Sequence, residues 1–212
     1  MRGGDHGGNR DKVVLKISEH PTQPGQIELT AVTLTGLEEK KSMAKAFLSF
    51  AKATKISPSD RTNQAKILAY MQHPDFQAIS EKAREYGYQT IGITFGVSVS
   101  IVVGKETQLG IVRGVLGGGS YLLASTAYTA GFQEGLGYTI NLLMSKEPVA
   151  QMTGYSLMAE LALGIGVGIG CSVFTTFFGY SGFQILYMAG VEEVEVSVGI
   201  DHTVITKLPE QA

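Results

Sequence analysis

Few residues in this 212-residue chain could carry chemistry, and they do not converge. Ser42-Met-Ala-Lys45 has the SxxK spacing in which a lysine can activate a serine. On a helix, however, Lys45 falls with Lys41 and Lys52 on the polar side, so the pairing reads as coincidence. Val103-Gly-Lys-Glu-Thr107 carries the glycine and lysine of a phosphate-binding loop. Yet Val99 stands where its first glycine belongs, and Glu106 where a metal-binding Ser or Thr is required, so the segment reads as a hairpin turn. Gly164, Gly166, Gly168 and Gly170 recur at every second residue, which is not the spacing of a dinucleotide fingerprint. His6, His20, His73 and His202 stand apart, without carboxylates at ligand spacing, and imply no metal. Glu134 and Glu160 are lone carboxylates of an apolar region and read as hydrogen-bonded structural acids. The reading excludes a catalytic constellation: a protein that is not an enzyme and needs no cofactor is expected.

Charge sets further bounds. The 17 basic and 19 acidic side chains leave a net charge of -2, too little to drive binding to nucleic acid. The single cysteine, Cys171, can form neither an internal disulfide nor a structural zinc site, so the fold must stand on packing. That suits a cytoplasmic protein, peripheral to a membrane if it meets one. The polar, glycine-rich start, with Arg2 where myristoylation needs glycine, reads as a flexible tail over residues 1–12 without a signal peptide. Between residues 90 and 185 only Lys105, Glu106, Arg113, Glu134, Lys146, Glu147 and Glu160 are charged, so burial is expected in the second half.

Two layers must position these residues. Val13 to Ile17 and Ile27 to Leu34 are strand-like runs around a turn at His20-Pro-Thr-Gln-Pro-Gly25, which predicts a hairpin. Thr35-Gly-Leu-Glu38 has capping-box spacing and opens a helix over Leu37 to Ile56. Ser57-Pro-Ser-Asp60 interrupts it, and Ser59 or Asp60 caps a second helix over Asn63 to Gln72. A third, Asp75 to Tyr86, ends near Gly87. From Thr90 the period changes to two: Ile91, Ile93, Phe95, Val97, Val99 and Ile101 alternate with Thr90, Gly92, Thr94, Gly96, Ser98 and Ser100. Leu161 to Gly170 repeats the device as one strand. Looser strands follow over 109–115, 121–132, 136–144, 183–188 and 194–206, with a short helix or turn at Ser145-Lys-Glu-Pro148. The predicted fold is α+β: an N-terminal hairpin and two to three helices, then a strongly curved antiparallel, Gly-rich β-sheet or small barrel. The hairpin and helical layer take 13–89 and the β core 90–208, expected to form one domain in the sense that neither layer buries its apolar face alone. Each strand glycine costs roughly 0.5–1 kcal/mol against alanine, so something must approach the small-residue face closely: a tight barrel interior, a helix or a lipid. A rival reading takes the uncharged run Leu161 to Val191 as a membrane-spanning helix.

Gly131-Phe-Gln-Glu-Gly135 followed by Ile140-Asn-Leu-Leu-Met144, preceded by Ile67 to Met71 and Ile79 to Ala83, and closed by Val194 to Ile200, resembles the SYLF domain. Residues 65–206 carry the resemblance; the proline that usually closes that family's first strand is absent here. The resemblance implies binding to lipids, phosphoinositides or actin. The residues themselves point to a lipid or anionic membrane surface through the amphipathic segment Leu37 to Ile56, with Phe47 and Phe50 at the acyl boundary and Lys41, Lys45, Lys52 and Lys55 near headgroups. Two alternatives stand beside this: a pore-forming protein whose strands insert as a barrel, and an oligomer or larger assembly formed by self-association through bare strand edges.

Overall fold

The computed structural model describes the backbone of residues 13–19, 27–34, 37–100, 103–132, 135–165, 167–176, 179–189 and 195–209, with side chains over 39–99, 103–131, 137–160, 170–175, 182–187 and 197–209. The N-terminal tail, the His20 to Gly25 turn, the Thr35 cap, Glu134 and Gly166 lie outside the described residues. Contacts divide the chain into two compact units, residues 1–42 and 43–212, with the division inside the first helix. In the first unit β1 (Val13–Glu19) pairs antiparallel with β2 (Ile27–Leu34), and α1 (Leu37–Thr54) begins.

The second unit opens with the rest of α1. A 3-10 turn over Pro58–Thr62 follows, closed by a capping box between Ser57 and Asp60. Asp60 therefore does not cap the next helix; Asn63 caps α2 (Gln64–Gln72), because Ser57-Pro58 already starts a capped turn of its own. Burial would raise the Asp60 carboxyl, but hydrogen bonds from Lys66, Ser57 and Tyr70 outweigh it and hold the group below the usual carboxylate range. His73 caps α3 (Pro74–Glu85), and the chain leaves it through Gly87 in the left-handed region at φ 76°.

Eight strands follow: β3 (Thr90–Ser100), β4 (Val103–Gly114), β5 (Ser120–Phe132), β6 (Gly135–Ser145), β7 (Gly154–Ile165), β8 (Val167–Thr176), β9 (Gly179–Ala189) and β10 (Glu195–Lys207). They close into an antiparallel barrel in the order β10-β5-β4-β3-β6-β9-β8-β7. The order contains two successive Greek keys, β3 to β6 and β7 to β10, in each of which the fourth strand returns beside the first.

Several expectations change. The run Leu161 to Gly170 is not one strand but the end of β7 and the start of β8, paired Gly164 to Gly168. An alternation of period two carries on through so tight a reversal, so the pattern conceals it. The membrane-spanning helix over Leu161 to Val191 is replaced by strands, and among the described residues no helix is long and apolar enough to cross a membrane. Val103 to Thr107 is not a hairpin turn but the first part of β4. Ser145 to Pro148 leads into a single 3-10 turn at Val149–Gln151. Closure leaves no free strand edge on the barrel, so copies cannot join through barrel edges.

The main core lies outside the barrel. Phe47 and Phe50 of α1, Ile67 and Met71 of α2, and Phe76 and Ile79 of α3 pack on the outward residues Ile91, Ile93 and Phe95 of β3, Ile140, Leu142 and Met144 of β6, and Phe183 and Ile185 of β9. The Phe50 ring lies 5.6 Å from that of Phe76 and edge-on to Tyr70 at 6.4 Å. Arg113, outward on β4, donates to the Met71 carbonyl at 3.1 Å, where a cation also suits the end of α2. Phe50 joins all three helices, so Phe50→Ala should cost about 3–5 kcal/mol in urea unfolding, whereas Lys52→Ala on the exposed side of the same helix should change stability by less than about 0.5 kcal/mol.

Candidate functional site

The strand alternation that turns bulky residues outward turns small and polar ones into the lumen. Thr94, Gly96 and Ser98 point inward from β3, Glu106 and Gln108 from β4, Ser125 and Thr129 from β5, Thr139 and Asn141 from β6. Ser156 and Glu160 of β7, Ser172 of β8, Gln184 of β9, and Ser197, Asp201 and Thr203 of β10 add to the polar lining, among which Met158 of β7 and Leu186 of β9 also point inward. One end is closed by apolar Val112, Leu123, Leu143 and Val149. Close strand approach explains the inward glycines: a Cβ at Gly110 would stand 2.5 Å from the Cα of Thr94, and one at Gly96 would collide with Thr139 Oγ1 and meet Glu106 Oε1 at 3.0 Å.

Glu106, Asp201 and Glu160 give this lumen three carboxylates, and none of its described lining residues between the ends is basic. Glu106 ends a directed chain of hydrogen bonds. Asn141 Nδ2 donates to Thr94 Oγ1 at 3.3 Å, that hydroxyl donates to Gln108 Oε1 at 3.3 Å, and Gln108 Nε2 donates to Glu106 Oε1 at 2.8 Å. Ala127 pairs with Glu106 on one side and Asp201 on the other, and its methyl group leaves the two acids facing each other across β5. Burial raises the Glu106 carboxyl to about 7; the Gln108 bond opposes this and the Asp201 charge adds to it. Asp201 is raised too, by burial, against hydrogen bonds from Thr203 and Ser125. Thr139 Oγ1, Asn141 Oδ1, Ser172 Oγ, Gln184 Oε1 and Asp201 Oδ1 are buried without a hydrogen-bond partner among the described residues.

A cavity of about 30 Å³ opens beside Met152, Thr153 and Gly154 and reaches Gln108, Ser125, Gln184 and Asp201. A water needs roughly 10–15 Å³ by this measure, so a few waters or one ion fit and an organic substrate does not. No group of three or more His, Cys, Asp and Glu side chains gathers as a metal site among the described residues.

The residues expected to meet lipid separate. Lys41, Lys45, Lys52 and Lys55 are exposed, but Phe47 and Phe50 are 0 and 1 % exposed inside the core. The helix covers its own barrel, so its phenylalanines are not at the surface in this fold. Sequence reasoning placed Glu160 as a structural acid and missed Glu106 and Asp201. The signal was their phase: each sits on the Gly/Ser/Thr face of its strand, with Gly104 and Gly110 or with Gly199 and Thr203.

A second feature lies on the outside. Ile200 of β10, 51 % exposed, stands directly between Tyr128 of β5 and Leu157 of β7, 64 and 46 % exposed. Val198 and Val204 extend this row along β10, and Tyr155 rests on His202 with ring centroids 4.5 Å apart. The described outward residues of β5, β7 and β10 include no Asp, Glu, Lys or Arg.

No family model and no curated protein matches the chain. Among solved structures it is similar to the virulence-associated protein VapB from the intracellular pathogen Rhodococcus equi, at 17 % identity and a TM-score of 0.36, over 55 % of this chain and 97 % of that one.

The lumen acids make stability depend on pH. Glu106 binds its proton more tightly folded, at about 7, than unfolded, near 4.5. The folded state therefore holds more protons between these values, and stability should fall as pH rises through that window and level off above it. Urea unfolding of the wild type should lose up to about 3 kcal/mol between pH 4.5 and 8, and Glu106→Gln should remove most of that loss.

Proposed function

We propose that this protein is a non-catalytic, membrane-associating barrel that meets lipid through the bare outer face of β5, β10 and β7. The observation that carries this reading is a comparison of the fourth strands of the two Greek keys, which stand opposite each other in the ring. Ile140, Leu142 and Met144 of β6 and Val198, Ile200 and Val204 of β10 are equally apolar, yet the first set is covered by the helical layer and the second is 43–51 % exposed. A contiguous uncharged apolar face on a protein surface marks an interaction site. Burying a Val, Leu or Ile side chain contributes roughly 1.5–3 kcal/mol, so a few suffice for micromolar association. The SYLF-like runs point to the same class of partner. The lysines of α1 supply a separate electrostatic attraction to anionic headgroups, but its phenylalanines take no part.

Barrel construction favours a second reading, insertion. A largely polar lumen, an exterior that among the described residues is apolar apart from Lys105 and Arg113 near the ends of β4, and strands of 10–13 residues approach what an eight-stranded membrane barrel requires. Insertion would demand that the helical layer leave β3, β6 and β9. Dye release from vesicles at saturating binding identifies it, and intact vesicles at saturation exclude it.

Flotation with neutral phosphatidylcholine vesicles tests the main reading. The wild type should float, and Ile200→Asp should bind roughly tenfold or more weakly with unchanged circular dichroism. Anionic vesicles separate the electrostatic part: Lys45→Glu/Lys52→Glu should weaken binding there and leave binding to neutral vesicles unaltered. A wild type that stays at the bottom of the gradient with both lipids overturns the proposal, and a concentration-dependent dimer lost in Ile200→Asp would assign the face to a second copy instead.

A further inference from the structure

We propose that the cavity beside Gly154 is a binding site for one primary ammonium group, an ion of methylammonium size or the charged end of a longer amine. The first observation behind this is the balance of charge. Asp201 stands in the described lining with Glu147, and no Lys, Arg or His does. A carboxylate drawn out of water without a base beside it is compensated by a guest that carries one positive charge.

The second observation is the kind of polar atom left over. A primary ammonium is a donor only, with N–H groups and no acceptor. Two donors of the lining are already spent inside the protein: Thr203 Oγ1 donates to Asp201 Oδ2 at 2.8 Å, and Gln108 Nε2 to Glu106 Oε1 at 2.8 Å. Asp201 Oδ1 and Gln184 Oε1 are without a partner among the described residues, both on side chains that line the cavity, and Gln184 is 6 % exposed. Water could serve these lone pairs but brings no charge to Asp201.

The third is the size of the space and the apolar part of its wall. About 30 Å³ holds two or three water-sized groups, which is the bulk of methylammonium. Leu123, Leu143, Met152, Met158 and Phe174 make much of the wall. A bare metal ion finds too few oxygens there, whereas a carbon-bearing cation sets its methyl group on these side chains and its N–H groups on the oxygens. A quaternary ammonium is too large and has no N–H to offer. The cavity opens at the start of β7, where Tyr155 belongs both to its lining and to the outer row with His202. The ammonium can therefore arrive on a free amine or on the ethanolamine headgroup of a lipid lying along that row; only the second source rests on the lipid-facing reading of β5, β10 and β7.

The full chain labelled with carbon-13 at its methionine methyl groups, held at pH 8 and at constant ionic strength with KCl, tests the site. Met152 and Met158 report on the cavity, and Met43 and Met71, in the core between helices and barrel, serve as references. So small a ligand binds at roughly millimolar concentration or more weakly, so methylammonium chloride is taken to ~100 mM. The Met152 and Met158 signals should shift saturably while the references stay fixed, and methanol or tetramethylammonium should leave all of them in place. Asp201→Asn should weaken binding about tenfold or more. Gln184→Met keeps the length of the side chain and removes an amide whose oxygen has no described partner, so the fold should persist while binding falls severalfold; this variant decides the matter if Asp201→Asn fails to fold. Flotation separates the two sources. A preference for phosphatidylethanolamine over phosphatidylcholine vesicles that Asp201→Asn removes assigns the ammonium to a lipid, and equal flotation with a persisting methylammonium shift assigns it to a free amine. Cavity signals that do not move, that move equally with methanol, or that respond unchanged in every folded variant overturn the proposal, whether or not the protein floats with vesicles.

Discussion

The width of the barrel is the constraint from which the rest follows. At Gly92, Gly96 and Gly110 neighbouring strands and lumen side chains come too close for a β-carbon. A lumen that narrow cannot be filled throughout by Ile, Leu and Phe, so over much of its length it takes glycine, serine, threonine, amides and a few acids, with Val112, Leu123 and Leu143 confined to one end. Since strand side chains alternate, the bulky residues are forced outward. A small barrel ordinarily fills its inside with apolar side chains and turns polar ones to water. Here the hydrophobic core must form outside, and the helical layer exists to complete it: Phe47, Phe50, Phe76 and Ile79 have Ile91, Phe95, Ile140 and Phe183 to bury because the barrel sent them there.

That inversion leaves carboxylates in a place where a soluble barrel would have leucine. Burial in a poorly hydrated interior raises both acids, the Asp201 charge raises Glu106 further, and the hydrogen-bond relay from Asn141 to Glu106 offsets part of the cost by aligning successive donors toward the charge. Partly satisfied polar networks are poor sources of stability. The unpartnered oxygens of Thr139, Asn141 and Gln184 make this one a departure from what stability alone would select, and such departures gather at functional sites.

Much of this was legible in the sequence. The change of period at Thr90, the capped helices before it and the small-residue face that demanded a close neighbour all led to a helical layer and a curved, Gly-rich sheet or barrel. The glycine face already offered a tight barrel interior as one of three neighbours, and that one holds. What was not legible was what covers the bulky face outside: alternation places Ile91 opposite Gly92 but does not show that the helices lie over it. Phe47 and Phe50 then looked free to meet lipid. Glu106 was weighed within an apparent phosphate loop and not by its phase with Gly104 and Gly110, although that phase already placed it on the small-residue side. The split of residues 161–170 between β7 and β8 was hidden because pairing Gly164 with Gly168 preserves the alternation on which the reading relied.

The two Greek keys make the uncovered face informative. The helices precede β3 directly and enter it through Gly87 to Gln89, so they fall on the side of the barrel where β3 and β6 adjoin β9. The opposite side, β5, β10 and β7, is out of their reach. If backbone preference alone governed that side, threonine would serve as well as valine or isoleucine, since both kinds of β-branched residue suit a strand. The chain uses threonine outward at Thr126 and Thr206 of the same strands. Yet it sets Val198, Ile200 and Val204 in a row along β10, flanked by Tyr128 and Leu157. Strand propensity accounts for β-branched residues there but not for their lack of hydroxyls, and an apolar partner accounts for both.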